Sequence, residues 1–153
     1  HVLPEVREAR ARGVIFDVAN GRSHFGSNTA KQAIADGFYP DVISSDMSTL
    51  TMLQWPVYGL PWVLSKYLAL GMGLSDVIAA CTSTPARLLG LADEIGDLSV
   101  GSLADIALFK LKNKQAVFSD ILGDEINGEQ ILVPQMTIKS GEILFRQVDF
   151  GLH

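Results

Sequence analysis

The sequence predicts an α/β protein in which parallel β/α units are followed by a β-rich segment. Two near-continuous apolar stretches, VIFDV at residues 14–18 and DVISSD at residues 41–46, each follow a helical pattern. Strands without polar alternation are typical of parallel sheets that are covered on both faces. Beyond residues 91–96 short β-type segments around glycine turns replace the helical patterns. We therefore expect two structural parts that meet near residue 92.

The first β/α units are predicted from periodicity and stop signals. Residues 4–12 carry charged and apolar side chains spaced for a helix with one apolar face, and Gly13 ends that pattern. Asn28 is predicted to be the N-cap of a helix over residues 29–36, which Gly37 closes. Helix, strand, helix and strand in this order favour parallel β/α units.

Three more helices are predicted between residues 60 and 90. Ser75 is expected to cap the second of them, and Thr84 with Pro85 to open the third, because proline is favoured at the first helical position. Lys66, in the first and most apolar helix, is expected to lie at the surface with its stem along the helix.

The last third of the chain is predicted to be β-rich. MTIKSGEILFRQ indicates a hairpin with Ser140 and Gly141 at the bend. Residues 112–133 are predicted to form a polar, irregular connection with a short strand or two.

Composition argues against several classes of protein. The 153 residues include 12 basic and 17 acidic side chains, a net charge of −5, which disfavours nucleic-acid and anionic-membrane partners. Cys81 is the single cysteine, so neither an intrachain disulfide nor a thiolate metal cluster can form from this chain. The charged start lacks a signal-peptide pattern, and no apolar run reaches the roughly 18 residues of a membrane span. We expect a soluble, cytoplasmic protein.

Candidate catalytic residues are those that follow the two predicted strands. In parallel β/α proteins, the loops at the C-terminal ends of strands converge on one pocket. Asp46 follows VISS, and Asn20 and His24 follow VIFDV. From the residues alone, Asp46 could equally cap a loop, and His24 could be an ordinary loop histidine. Asp17 lies inside the strand pattern, where a carboxylate must be paired or hydrogen-bonded, so a structural role is favoured.

Three aromatic residues shortly after Asp46 leave two interpretations open. Trp55, Tyr58 and Trp62 could wall a substrate pocket, or they could pack against neighbouring helices. No HxH pair and no HExxH motif is present in the sequence.

Longer stretches of the chain resemble the C-terminal region of the amidohydrolase superfamily, in the branch of dihydroorotase-like deacetylases and aminoacylases. The resemblance is carried by GVIFDVANGRSHF, by AIADGFYPDVISSDMS and, most specifically, by TPARLLGL followed by IGDLSVGSLADIALF. It covers residues 12–109 well and extends loosely to the TIKSGEILF hairpin.

The resemblance implies the C-terminal part of a (β/α)8 TIM-barrel metallohydrolase together with part of a small β-sandwich domain. Residues 1–92 would supply the C-terminal β/α units of the barrel, and residues 93–153 strands of the β-sandwich. A whole barrel usually needs about 250 residues. The chain is therefore expected to be the C-terminal portion of a longer enzyme.

The resemblance also implies a chemistry. Such enzymes hydrolyse a C–N bond other than a peptide bond, in an amide or cyclic amide, with a hydroxide activated by one or two divalent metal ions, usually zinc. Asp46 aligns with the aspartate that binds metal, acts as general base and passes its proton to the leaving amine. Relatives carry GHG where residues 19–21 are ANG, so a substrate contact is assigned to Asn20 and His24. The family's HxH motif, bridging lysine and two later histidines have no counterpart and are expected to precede His1.

Three interpretations follow from the sequence. The chain could be the C-terminal portion of a metal-dependent amidohydrolase for a small-molecule amide, inactive without its N-terminal portion. It could instead be a non-catalytic half-barrel that pairs with itself as a homo-oligomer or with another chain, serving as an interaction or ligand-binding module; open strand edges would favour this. A hydrolase that uses a Ser or Thr near Asp46 and His24 is the third, although no GxSxG elbow is present.

Overall fold

The computed structural model describes residues 1–150. Within these residues the chain forms a two-stranded parallel sheet, a three-stranded antiparallel sheet and five helices. The elements in chain order are α1 (Pro4–Ala11), β1 (Asp17–Val18), α2 (Ser27–Ala35), β2 (Val42–Ile43), α3 (Leu60–Ala69), α4 (Leu74–Cys81), α5 (Ser83–Leu88), β3 (Ile106–Ser119), β4 (Glu125–Lys139) and β5 (Glu142–Arg146).

The parallel pairing of β1 and β2 confirms the predicted β/α arrangement. Asp17 pairs with Val42, and α2 forms the connection between the two strands. The predicted buried strand over residues 14–18 is wrong in its first half, because only its last two residues are paired. Val14 and Ile15 are nearly half exposed. Within residues 1–150 β1 has a neighbouring strand on one side only, so its other edge is unpaired.

Helix α2 begins at Ser27, and the prediction of Asn28 as its N-cap is wrong. The cap position is Gly26, which has no side chain to offer. The carboxylate of Asp120, at the end of β3, accepts a hydrogen bond from the Ser27 N–H at 2.7 Å. Asn28 instead donates its side-chain amide to Asp124. A capping group 93 residues away leaves no local signal in the sequence.

Helix α3 joins the two parts of the chain, because it packs against β4. Ser65 is fully buried, and its hydroxyl donates to the Pro61 carbonyl and accepts the Leu132 N–H at 2.9 Å. Lys66 is only 8% exposed, so its predicted place at the surface is wrong. The apolar core around α3 contains Phe25, Ile43, Val57, Val63, Leu64, Tyr67, Met72, Val77, Ala80, Phe118, Ile126 and Leu132.

The two helices after α3 are present as predicted, but each begins two residues before its predicted start, so the predicted caps Ser75 and Thr84 are wrong. Helix α4 begins at Leu74 rather than after Ser75, and α5 at Ser83. Gly96, which has φ +97°, allows the loop after α5 to approach it closely: a Cβ here would lie 2.6 Å from the Ala86 Cβ. This contact explains why a glycine belongs at this spacing after the TPARLLGL segment.

The predicted hairpin bend is confirmed, whereas the predicted irregular connection is wrong. Ser140 and Gly141 join β4 to β5, both with positive φ, as a two-residue hairpin turn requires. Residues 112–133, however, belong mainly to the long antiparallel ladder of β3 and β4, with a shift of register between Asn113 and Ala116. Around Asn113 and Gln130 polar side chains on both faces hide the period-two pattern.

The change from helices to antiparallel strands falls between α5 and β3. The division into residues 1–92 and 93–153 stays a prediction. No helix within residues 1–150 has the length and apolar character needed to cross a membrane.

Candidate active site

Asp46 lies three residues beyond the end of β2. Its backbone has φ +47°, a left-handed conformation that aspartate tolerates better than most residues. Its side chain is 41% exposed. The end of a parallel strand therefore presents a carboxylate to open space, as the sequence predicted.

His24 and Gly21 both bind the same oxygen of this carboxylate. Nδ1 of His24 lies 2.9 Å from Asp46 Oδ2, and the Gly21 N–H donates to Oδ2 at 3.0 Å. Within residues 1–150, Oδ1 accepts no hydrogen bond. The carboxylate is thus held by one oxygen, while the other is available to an incoming group.

These contacts also set the charge of Asp46. The hydrogen bond from His24 holds the pKa of the carboxyl group below its usual value; the Gly21 N–H and the charge of His24 act in the same direction, and slight burial opposes them. The side chain is therefore ionised at neutral pH. An ionised carboxylate can accept a proton or bind a cation.

Gly21 is required at its position by the closeness of Asp46. A Cβ on Gly21 would lie 2.4 Å from Asp46 Oδ2 and 3.0 Å from His24 Nδ1. Any side chain would displace the carboxylate or the imidazole, since glycine alone lets the backbone approach this closely.

Asn20 is placed differently from the other predicted site residues. It is 2% exposed, and its side-chain amide donates to the carbonyls of Ser44 at 2.8 Å and Val18 at 3.2 Å. Its Oδ1 accepts a long hydrogen bond of 3.5 Å from the Tyr67 hydroxyl. The amide thus ties the ends of β1 and β2 together and contacts α3. Its role as a substrate contact stays a prediction.

A cavity of about 250 Å³ lies beside His24. Its walls are mostly apolar and include Phe25, Phe38 and Tyr67, with Asp17 as the one carboxylate among them. Asp17 is exposed and accepts a long 3.4 Å hydrogen bond from Ser44, in keeping with its predicted hydrogen bonding. Asp46 itself does not line this cavity.

The three aromatic residues after Asp46 do come together, but in a separate cleft. Trp55, Tyr58 and Trp62 line a space of about 490 Å³ with Val117 on β3. Neither Asp46 nor His24 borders this cleft. The structure therefore does not join these aromatic residues to the candidate site.

The residues present fit a metal ion only in part. No group of three or more His, Cys, Asp or Glu side chains within residues 1–150 is arranged to hold one. Asp46 offers one free oxygen, which suits a divalent cation as a single ligand. The other ligands of such a site would have to come from outside residues 1–150.

The sequence predicts Asp46 and His24 as candidates at two strand ends, but it does not predict the contact between them or the part played by Gly21. The only signal was the glycine-containing ANG segment directly after β1. The approach of Gly21 to Asp46 depends on the register of β1 and β2, which a single sequence does not give.

The model of the amidohydrolase family matches residues 3–144, so the chain belongs to the amidohydrolase family. The resemblance found in the sequence is thereby confirmed.

Individual relatives agree with this assignment. The chain is 31% identical over 132 residues to a deacetylase from Brucella anthropi, covering 86% of this chain and 32% of that protein. It is 27% identical over 136 residues to a deacetylase from Enterococcus faecalis, covering 89% and 37%. The chain thus spans about a third of the length of the curated relatives it matches.

Two solved structures share its fold. A crystal structure of an adenine deaminase superposes with a TM-score of 0.89 at 25% identity, covering 95% of this chain and 39% of that one. A crystal structure of a dihydroorotase superposes with a TM-score of 0.80 at 28% identity, covering 92% and 36%.

Proposed function

We propose that this chain is the C-terminal portion of a metal-dependent amidohydrolase that hydrolyses an amide or cyclic amide C–N bond, with Asp46 as its general base. The observation that carries the proposal is the geometry of Asp46: an ionised carboxylate at the end of a parallel strand, fixed through Oδ2 and free at Oδ1. The deacetylases and the dihydroorotase that it resembles support C–N bond hydrolysis.

In this proposal, residues 1–92 complete a TIM barrel and residues 93–153 contribute to a small β-sandwich. The parallel pair β1 and β2, connected by α2, fits a TIM barrel, and the antiparallel sheet fits a β-sandwich. The share of each relative that is covered, about a third, supports a longer whole protein.

Asp46 would carry one proton through the reaction. A divalent metal, zinc in the usual case, held by Asp46 and by ligands from the rest of the enzyme, would lower the pKa of water and polarise the scissile carbonyl. Asp46 takes the proton of the attacking water and then donates it to the departing amine. His24 and Gly21 keep the carboxylate in one orientation during both transfers, and Asn20 holds the strand ends that carry them.

The substrate is proposed to be a small molecule, either N-acetylated or a cyclic amide. His24, which is 63% exposed beside the cavity, is the proposed substrate contact in this chain. The largely apolar cavity next to it suits an uncharged portion of a substrate better than a phosphate or a nucleic acid.

The test is Asp46→Asn in the complete enzyme. The substitution keeps the size of the side chain but removes the proton acceptor, so kcat should fall by about 10³-fold or more with unchanged circular dichroism. Asp93→Asn, on an exposed aspartate away from the site, is the matched control and should keep full activity. Near-normal turnover by the Asp46 variant would remove it from the mechanism.

A non-catalytic half-barrel is the second candidate, favoured by the edge of β1 that has no partner strand within residues 1–150 and by the half-exposed Val14 and Ile15 that precede it. The two candidate functions predict different metal content and different activity for the complete protein. Stoichiometric metal and turnover of acetylated amines or cyclic amides support the enzyme. A complete protein that holds no metal and turns over neither class supports the module.

A further inference from the structure

Lys66 is a buried cation that the proposed mechanism does not use. Its side chain lies in the middle of α3, and the residue is 8% exposed. Lysine is almost never buried unless it is paired. None of the ion pairs within residues 1–150 includes Lys66. Its Nζ instead lies 3.3 Å from the centroid of the Phe25 ring, the geometry of a close cation–π contact.

Phe25 connects this cation to the candidate active site. It follows His24 directly in the chain and is itself buried. Tyr67, the neighbour of Lys66 on α3, meets the Phe25 ring edge to face at 6.3 Å. Lys66 and Tyr67, which are adjacent on α3, thus both contact the Phe25 ring. His24, which precedes Phe25 in the chain, binds Asp46.

Asp120 is the charged group that acts on Lys66. Its carboxylate is buried and accepts the N–H groups of Ser27, Leu122 and Asp124. Burial lowers the pKa of Lys66 to about 7, and the charge of Asp120 opposes that change. Lys66 contacts Phe25, and Asp120 binds the start of α2 two residues later in the chain. Lys66 and Asp120 thus hold the two sides of the same turn.

We propose that Lys66 is a positioning residue, which, through the face of Phe25, holds the segment 20–26 so that Gly21 and His24 meet Asp46. The inference rests on the proposed role of Asp46 as general base. Packing alone does not account for the choice of lysine, since an apolar side chain of equal length would fill the same space without the cost of burying an amine. The ammonium adds an attraction directed at the face of the ring, whereas a methionine sulfur contacts aromatic rings mostly at their edge.

The test compares Lys66→Met, Phe25→Leu and the double variant in the complete enzyme at pH 6, a unit below the Lys66 pKa of about 7, to favour the ammonium form. We expect each single variant to lower kcat by about tenfold, because small displacements of a catalytic group have effects of this order. The double variant should be no slower than the slower single variant, since both changes break the same contact.

Hydrogen exchange provides a readout that does not depend on turnover. In Lys66→Met, peptides that cover residues 20–26 should exchange several-fold faster, while peptides from α4 keep the wild-type rate. If Lys66→Met does not fold, Lys66→Gln replaces it in both measurements.

Wild-type kcat together with wild-type exchange over residues 20–26 would overturn the proposal. So would faster exchange throughout the chain with a lowered melting temperature, because that result marks a purely structural lysine. Asp46→Asn is measured alongside: if it retains activity, the proposed function fails, and the exchange data alone still decide whether Lys66 holds the segment.

Discussion

His24 and Asp46 are 22 positions apart in the chain, and Nδ1 of the histidine lies 2.9 Å from Oδ2 of the aspartate. The contact joins the loop after β1 to the loop after β2. Because the Gly21 N–H binds the same oxygen, the carboxylate has little freedom to rotate. Three residues from two adjacent strand ends therefore act as one unit.

Loss of His24 should raise the pKa of Asp46. In His24→Ala the strongest contribution that lowers this pKa disappears, so the carboxyl group should titrate at higher pH, nearer its usual value. Carboxyl ¹³C chemical shifts of the metal-free protein would measure the change. His1→Ala is the control, since His1 pairs with Asp36 at the surface. An unchanged Asp46 titration would show that the contact has no electrostatic effect.

Gly21→Ala should damage activity more than stability. The added methyl group would overlap Asp46 Oδ2, so the carboxylate must move, and a loss in kcat of about 10- to 100-fold is expected. Gly59→Ala is the matched control, because Gly59 has an extended backbone and the nearest atom to an added methyl is 3.8 Å away. Equal kcat values for the two variants would contradict the arrangement.

Lys66→Met should stabilise the protein, and more so at low pH. The pKa of Lys66 is about 7 in the folded state and 10.5 in the unfolded reference, so the unfolded chain binds the extra proton between these values. The cost of burying the amine is therefore complete below pH 7 and fades as the pH rises toward 10.5. It amounts to at most about 5 kcal/mol, and the Phe25 contact reduces it. Melting temperatures of both proteins at pH 6 and pH 10 test this; an equal difference at the two pH values would contradict it.

Asp120→Ala should destabilise the fold by about 2 to 3 kcal/mol, because α2 loses its cap and buried N–H groups lose their acceptor. Although burial works to raise it, these N–H groups together hold the pKa of Asp120 below its usual value. The ionised carboxylate thus contributes stability above about pH 4, which is lost as the pH falls through the folded-state pKa.

Denaturant unfolding from pH 3 to pH 7 is the measurement, with Asp124→Ala as the control. Asp124 accepts a side-chain hydrogen bond from Asn28 at the surface, so its loss should cost far less. If both variants unfold at the same denaturant concentration, the carboxylate of Asp120 does not cap α2 in the way described.

The sequence predicted those features that depend on local signals. Ser140 and Gly141 were identified as a bend because a two-residue turn demands particular residues, and Asp46 was identified because it follows an apolar strand. The burial of Lys66 and the cap from Asp120 were missed. Each depends on a partner brought in by tertiary packing, and neither partner has a fixed spacing in the sequence.

The long ladder of β3 and β4 was missed for a different reason. The stretch around Asn113 and Gln130 is polar on both faces and shows no alternation. This stretch is held in place by backbone hydrogen bonds between the strands and by a side-chain hydrogen bond from Gln130 to Asn113. Backbone pairing leaves no trace in side-chain composition.

The cap on α2 also fixes an order of events during synthesis. The start of α2 is synthesised 93 residues before the carboxylate of Asp120 that binds it. On the ribosome, the Ser27 N–H therefore lacks its Asp120 acceptor until those residues have been added. The nascent protein cannot fasten the turn beside His24 before β3 has been made.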